Sequence, residues 1–89
     1  MVIANPKLAT QDNYKKANTK EDWYLRLKMV QVNPKLATLK NFKNEKDKYV
    51  RAEMLIANPH LATQKNFYNE TDCYVRRVMQ RLNPALKDN

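Results

Sequence analysis

The residues of this chain whose types and spacing could support chemistry recur at a fixed interval. Asp22, Asp47 and Asp72 each stand four residues before an arginine. A catalytic role would need such groups to converge in a pocket, whereas aspartate four residues ahead of arginine is a favoured ion-pair orientation along one helix, and the helix dipole stabilises aspartate at an N-terminus. Each guanidinium could also reach an aspartate or a free carbonyl of the neighbouring segment. We predict a structural ladder that fixes register, formed by Asp22, Arg26, Asp47, Arg51, Asp72 and Arg76.

The chain holds one cysteine, one histidine and no glycine. One cysteine excludes an internal disulfide framework and a multi-cysteine metal site, and one histidine excludes paired-histidine metal motifs. The dinucleotide and P-loop fingerprints need glycine for close backbone approach to phosphate. The sequence contains no second histidine or nearby orienting group that could form a catalytic triad with Cys73. The single histidine, His60, is expected to be a surface substitution. We therefore predict that the protein is not an enzyme and holds neither a metal nor a cofactor.

Lysine dominates a formal net charge of +8. The ladder contains as many acids as bases, so it does not account for this excess. Several of the remaining basic residues recur at equivalent positions, and a stacked repeat would turn them into a stripe that can track phosphates. A biased composition is the alternative explanation, although such a bias should enrich glutamate as well. The predicted partner-binding residues are Lys7, Lys15, Lys35, Lys40, Lys43, His60, Lys65 and Tyr68, and Tyr68 is expected to be exposed because it shares a column with two lysines.

Aromatic residues recur as well, in two columns. Tyr24, Tyr49 and Tyr74 form one column, and Tyr14, Phe42 and Phe67 form the other. Aromatics interleaved with lysine could stack on nucleic-acid bases. Their helical spacing favours packing in the core or between repeats instead, and we predict Met29, Met54 and Met79 to fill the core.

An internal repeat sets all of these spacings. Asn-Pro pairs begin at residues 5, 33, 58 and 83, and the first interval is three residues longer than the other two. Periods of 20–50 residues are typical of solenoids, whose units bury their apolar faces only against neighbours. We predict one domain over residues 1–89, with a partial unit at 1–4, repeats at 5–32, 33–57 and 58–82, and a C-terminal partial unit at 83–89.

Each unit should contain a long and a short helix. The long helix of the second unit is predicted at about 47–57, from an apolar stripe of helical period. Asn44-Glu-Lys-Asp47 matches a capping box, as do the equivalent segments of the other units, and proline ends each helix. The short helix is predicted at about 38–43, capped by Thr38, with Leu36 and Phe42 directed inwards. It could be partly 3-10.

The order aspartate, Val-Arg, methionine and Asn-Pro, followed by a Thr-led short helix, resembles the variant leucine-rich repeat (LRV) family. The resemblance covers nearly the whole chain, and HEAT-like repeats are the near alternative. It implies an α-solenoid of alternating α- and 3-10 helices, with no single activity. Some members of that family carry an iron–sulfur cysteine cluster outside the repeats, which Cys73 alone does not supply. The matching residues are Asp47, Val50, Arg51, Met54, Asn58 and Pro59, then Asp72, Val75, Arg76, Met79, Asn83 and Pro84.

These features predict an all-α fold, a short right-handed α-solenoid of about three 25-residue helix-pair repeats. We expect a small cytoplasmic binding module, without a membrane association, that docks an acidic macromolecule through its basic face. Nucleic-acid backbone is favoured, and binding should be largely independent of sequence. A protein–protein adaptor or inhibitor, of the kind that viruses and mobile elements encode, is the alternative. A third hypothesis is self-association through apolar repeat ends around Met1, Val2, Ile3 and Leu86.

Overall fold

A computed structural model of the protein describes residues 6–88, and the regular elements over this range are all helices. Short α-helices of six residues alternate with long ones of ten, which confirms the all-α prediction. The partial unit predicted at 1–4 lies outside the described residues. None of the described helices is long and apolar enough to cross a membrane. The α-helices are α1 Gln11–Lys16, α2 Trp23–Val32, α3 Leu39–Asn44, α4 Lys48–Ala57, α5 Gln64–Asn69 and α6 Cys73–Leu82.

The long helices begin at an aspartate and end at an asparagine. The Asp47 carboxylate accepts the backbone N–H groups of Tyr49 and Val50 at 2.9 and 3.0 Å, and Asp72 caps α6 in the same way. The capping boxes predicted from Asn44 and Asn69 are therefore wrong, because these asparagines are the last residues of α3 and α5 and the aspartate alone fills the capping role. The box predicted in the first unit is present, between Thr19 and Asp22.

Each short helix begins with a threonine cap and follows a proline-led 3-10 turn. The hydroxyl of Thr38 accepts the N–H of Asn41 at 3.1 Å. The 3-10 turn is a separate element rather than part of the short helix, since proline's fixed φ suits a first helical position. Proline therefore ends the long helix and starts a tight turn at once. The turns are Pro6–Leu8, Pro34–Leu36 and Pro59–Leu61, with a fourth 3-10 turn at Lys20–Asp22.

One apolar core runs through the described helices. Met29, Met54 and Met79 are buried as predicted, and so are Phe42 and Phe67. Helix α4 packs against both α2 and α6. Leu86 is also buried, so it does not form the exposed apolar end predicted for self-association. The other residues of that hypothesis, 1–3, lie outside the described range.

In the Asn-Pro pairs that begin at residues 33, 58 and 83, the asparagine joins its unit to the preceding one. The side-chain amide of Asn33 donates to the Ala9 carbonyl at 2.6 Å. Asn58 donates to Ala37 at 2.9 Å, and Asn83 donates to Ala62 at 2.8 Å. These bonds satisfy buried carbonyls at the turn between helices, where no regular ladder exists to do so. The Asn-Pro pair is therefore a joint between units as well as a helix terminator.

Arg26 and Arg51 pair with glutamates of the next unit rather than with the aspartates four residues before them. Both oxygens of Glu45 accept from Arg26, at 2.8 and 3.0 Å, and Glu70 accepts from Arg51 twice at 2.9 Å. The aspartate–arginine contact predicted along each helix is thus replaced, because capping uses the aspartate carboxylate. Arg76 pairs with Asp88 instead.

Arg51→Ala should destabilise the protein by about 3–5 kcal/mol, because it leaves the buried Glu70 carboxylate without its cation. Urea denaturation of this variant, of Glu70→Gln and of the double variant should reveal strong coupling between the two positions. Arg77→Ala, at an exposed position of α6, is the control and should change the free energy of unfolding by less than about 0.5 kcal/mol.

A second cycle separates this pairing from the predicted ladder. Asp47→Ala should cost about 1 kcal/mol, since it removes an N-cap. Its effect should nearly add to that of Arg51→Ala, because the two side chains have different partners. Strong coupling here, with none between Arg51 and Glu70, would instead support the ion pair along the helix.

Candidate functional site

The predicted basic residues all lie at exposed positions of the turns and short helices. Lys35 and His60 occupy equivalent places in two Pro-led turns, and Lys7 occupies the same place in the first. Tyr68 is 62% exposed, which confirms its predicted surface position. The remaining predicted residues, Lys15, Lys40, Lys43 and Lys65, lie on α1, α3 and α5. We call this set of eight residues the basic face.

Buried neighbours position the lysines of each short helix. In α3, Lys40 and Lys43 flank the consecutive buried residues Asn41 and Phe42. The Asn41 amide donates to the Leu36 carbonyl at 2.8 Å and to the Gln11 side chain at 2.7 Å. A helix of six residues is marginal in isolation, so these contacts and the threonine cap are what hold the two lysines outward.

Few acidic groups oppose the lysines of the short helices. The ion pairs of Arg26, Arg51 and Arg76 lie elsewhere in the described residues. Among the short helices, α1 has an acidic residue, Asp12, in its first turn. The face therefore keeps a positive field that falls off over about one Debye length, roughly 8–10 Å in physiological salt.

A cavity of about 580 Å³ opens between the first and second units, beside the three-residue insertion. The insertion extends the connection from α1 to α2, and residues 17–20 form one wall. Two basic-face residues, Lys15 and Lys40, line it together with Lys20 and Lys46. Sequence reasoning missed the last two as site residues, although the longer first interval marked the place where the chain departs from its repeat.

A buried polar cluster lies beneath this cavity. The Tyr14 hydroxyl donates to Glu45 Oε1 at 2.5 Å, and Arg26 donates to both oxygens of the same carboxylate. The Arg26 Nη1 group also donates to the carbonyls of Ala17 and Thr19, each at 2.7 Å. Burial, reinforced by the hydrogen bond to the Glu45 carboxylate and its negative charge, raises the pKa of Tyr14 far above its usual value. Tyr14 therefore stays a neutral donor and completes the shell of Glu45.

A row of aromatic rings crosses the exposed side of the long helices. The ring centroid of Tyr49 lies 5.7 Å from Trp23 and 5.9 Å from Tyr74. Contact between repeats is as predicted for Tyr49 and Tyr74, but the rings of this tyrosine column are not in the core. Tyr24, Tyr49 and Tyr74 are 49, 47 and 43% exposed. Lys28 and Lys48 lie 5.3 Å from the rings of Tyr24 and Tyr49, within range of cation–π attraction.

Cys73 is exposed as the first residue of α6, and His60 is exposed in the turn Pro59–Leu61. Neither residue lines the cavity, whose lining residues come from the first two units.

Comparisons with protein-family models, with curated proteins and with solved structures find no match to this chain. The resemblance to LRV repeats, with HEAT-like repeats as the near alternative, therefore stays a prediction from the residues that carry it.

Tyr14→Phe should destabilise the protein by about 1–2 kcal/mol at neutral pH, because it removes a buried hydrogen bond to a charged acceptor. Phenylalanine fits the position sterically, since Phe42 and Phe67 occupy the same column. A tyrosine whose folded pKa is raised contributes stability that is full below its unfolded pKa of about 10 and declines above it. The deficit of the variant, measured by urea denaturation, should therefore shrink as pH rises above about 10. A deficit that grows with alkali would contradict this role for the hydroxyl.

Proposed function

We propose that this chain is a short right-handed α-solenoid, similar to LRV repeats, that acts as a non-enzymatic binding module. Its basic face docks an acidic macromolecule, and the backbone of a nucleic acid is the favoured partner. The observation that carries the proposal is the recurrence of exposed lysines at equivalent places of successive turns and short helices. Such positions would stand about one helix diameter apart, roughly 10 Å, in stacked units.

The internal use of the acidic residues supports this proposal. Glu45 and Glu70 are buried against arginines, and Asp47 and Asp72 cap helices. These carboxylates are occupied by contacts within the fold, while the lysines lie at the surface. Phosphate groups placed against such a face release condensed counterions, and this release supplies most of the affinity of sequence-independent binding.

The types of residue on the face favour contacts with phosphate rather than with bases. Lysine acts as a flexible point charge, whereas arginine, asparagine and glutamine make the bidentate contacts that read base edges. Asn41 and Asn66, the amides of the short helices, are buried and donate to backbone carbonyls. Binding of this kind discriminates poorly among base sequences.

Salt dependence tests the proposal directly. If three to four phosphates are neutralised, the slope of log K against log salt should be about −2 to −4, with micromolar or weaker affinity at physiological salt. Fluorescence anisotropy with single- and double-stranded oligonucleotides at two or more salt concentrations measures the slope. Replacing Lys35, Lys40, Lys43 and Lys65 by glutamine should flatten it while circular dichroism and thermal melting stay unchanged.

A control with the same net charge separates the face from the total charge. Replacing Lys28, Lys48, Arg77 and Arg81 by glutamine also removes four positive charges, but from the long helices. The control should keep most of the salt slope. Equal losses in the two variants, or no binding by the wild type at low salt, would contradict the proposal.

The aromatic row supports a second candidate function, a protein–protein adaptor. Exposed tyrosines in mutual contact, next to a partly buried tryptophan, supply large contact area at low entropic cost and are enriched in binding hot spots. A shallow groove lined by Trp23, Leu27, Tyr49, Ala52, Glu53, Ile56 and Tyr74 lies along this row.

Pull-downs from native lysate, with and without nuclease, distinguish the two candidates. An adaptor should retain its partner after nuclease treatment and lose at least about tenfold in affinity on Tyr49→Ala. The lysine-to-glutamine variant of the basic face should retain that partner. Loss of the captured material on nuclease treatment would favour the nucleic-acid candidate.

A further inference from the structure

We propose that the cavity between the first two units binds a phosphomonoester, carried by a free nucleotide or by the 5′ end of a nucleic-acid strand. The strand form of this inference rests on the proposed function, whereas the nucleotide form does not. The cavity opens between α1 with its following connection and α3 with its following connection. Four lysines on its lining come from both units, and they are Lys15, Lys20, Lys40 and Lys46.

These four lysines line one cavity. Lys15 lies near the end of α1, and Lys20 opens the 3-10 turn in the lengthened connection to α2. Lys40 lies on α3, and Lys46 lies between α3 and the Asp47 cap of α4. The corresponding place in the third unit has Thr71 in the column of Lys46, so the full set of cations occurs once.

The carboxylates of the lining are already committed. Glu45 takes hydrogen bonds from Tyr14, Arg26 and the Asp47 N–H, and Asp47 caps α4 through Oδ1. Ala17 stands seven residues after the Thr10 cap, where the second and third units have Glu45 and Glu70. The first unit therefore adds no carboxylate at that position of the wall.

The lining has a net positive charge, which favours a dianion. Arg26 and Glu45 neutralise each other, so the four lysines face the single charge of Asp47. A phosphomonoester carries about −1.5 to −2 charges at pH 7 and offers three terminal oxygens. An internal phosphodiester carries one charge and runs past a cavity rather than ending in it. The lining therefore favours a terminal phosphate over the diesters that the rest of the basic face would contact.

The size and the polar wall of the cavity leave room for more than phosphate. A volume of about 580 Å³ falls within the range of roughly 300–1,000 Å³ that is typical of small-molecule sites. Exposed Asn18 and Asn44 also line it, and each side-chain amide can both donate and accept. A nucleoside attached to the phosphate is the ligand that uses both the cations and these amides.

The test uses one oligonucleotide in two forms, with a 5′-phosphate and with a 5′-hydroxyl, titrated by fluorescence anisotropy with the label at the 3′ end. Wild type should prefer the phosphorylated form by about tenfold or more, because charge-assisted contacts to the terminal phosphate are strong. The Lys20→Gln/Lys46→Gln variant should bind the two forms equally. Neither of these lysines belongs to the basic face, so binding of the hydroxyl form should change little.

Lys16→Gln/Lys43→Gln is the matched control, since both lysines are exposed next to the cavity and neither lines it. It removes the same charge and should weaken both forms alike while keeping the preference. Thermal melting of both variants verifies that the fold is retained. A preference that survives Lys20→Gln/Lys46→Gln would overturn the inference.

Calorimetric titration with adenosine monophosphate and with adenosine identifies the source of the phosphate. Saturable binding of the monophosphate, absent for adenosine and lost in Lys20→Gln/Lys46→Gln, supports a nucleotide site even if neither oligonucleotide binds. Preference for the phosphorylated strand without monophosphate binding supports a strand end. Equal binding of both strands, together with no monophosphate binding, refutes this inference and leaves the proposed function standing.

Discussion

A buried, forked ion pair between an arginine of one unit and a glutamate of the next is the interaction on which the rest of this structure depends. The side chains of Arg26 and Glu45 are only 8 and 3% exposed, and no buried side-chain polar atom of the described residues lacks a partner. Such a pair adds little net stability over an apolar contact, but an unmatched charge in its place is very costly. The pair therefore acts chiefly by excluding other registers between units.

The charged residues divide between the interior of the fold and its surface. Five of the nine acidic residues are committed to buried ion pairs or to caps, as Glu45, Glu70, Asp22, Asp47 and Asp72. The ion pairs of the fold involve Arg26, Arg51 and Arg76, and the lysines of the short helices lie at exposed positions. The buried pairs cancel in charge, so the net charge of +8 is carried by the other charged residues.

The repeat period predicted the helices, their threonine caps and the buried methionines, because each of these depends on local spacing. It could not select the partner of each arginine. Asp47 and Glu45 recur with the same period, so a pattern of 25 residues is equally consistent with pairing along one helix or between units. The carboxylate that caps a helix is unavailable for the arginine, and this competition appears only in three dimensions. The sequence could not predict the cavity for a related reason. The insertion shows where the repeat is interrupted, but it does not show which side chains lie together there.

The direction of the contacts between units has a consequence for how such a chain can change in length. Asn33, Asn58 and Asn83 donate backwards to the preceding unit, and Arg26 and Arg51 donate forwards to the following one. Duplication or loss of one 25-residue segment, in frame at an Asn-Pro boundary, leaves all of these donors and acceptors matched. A change that shifts one helix relative to the next unit strands a buried carboxylate or amide. Unequal recombination at these boundaries can therefore vary the number of units and keep the contacts between them.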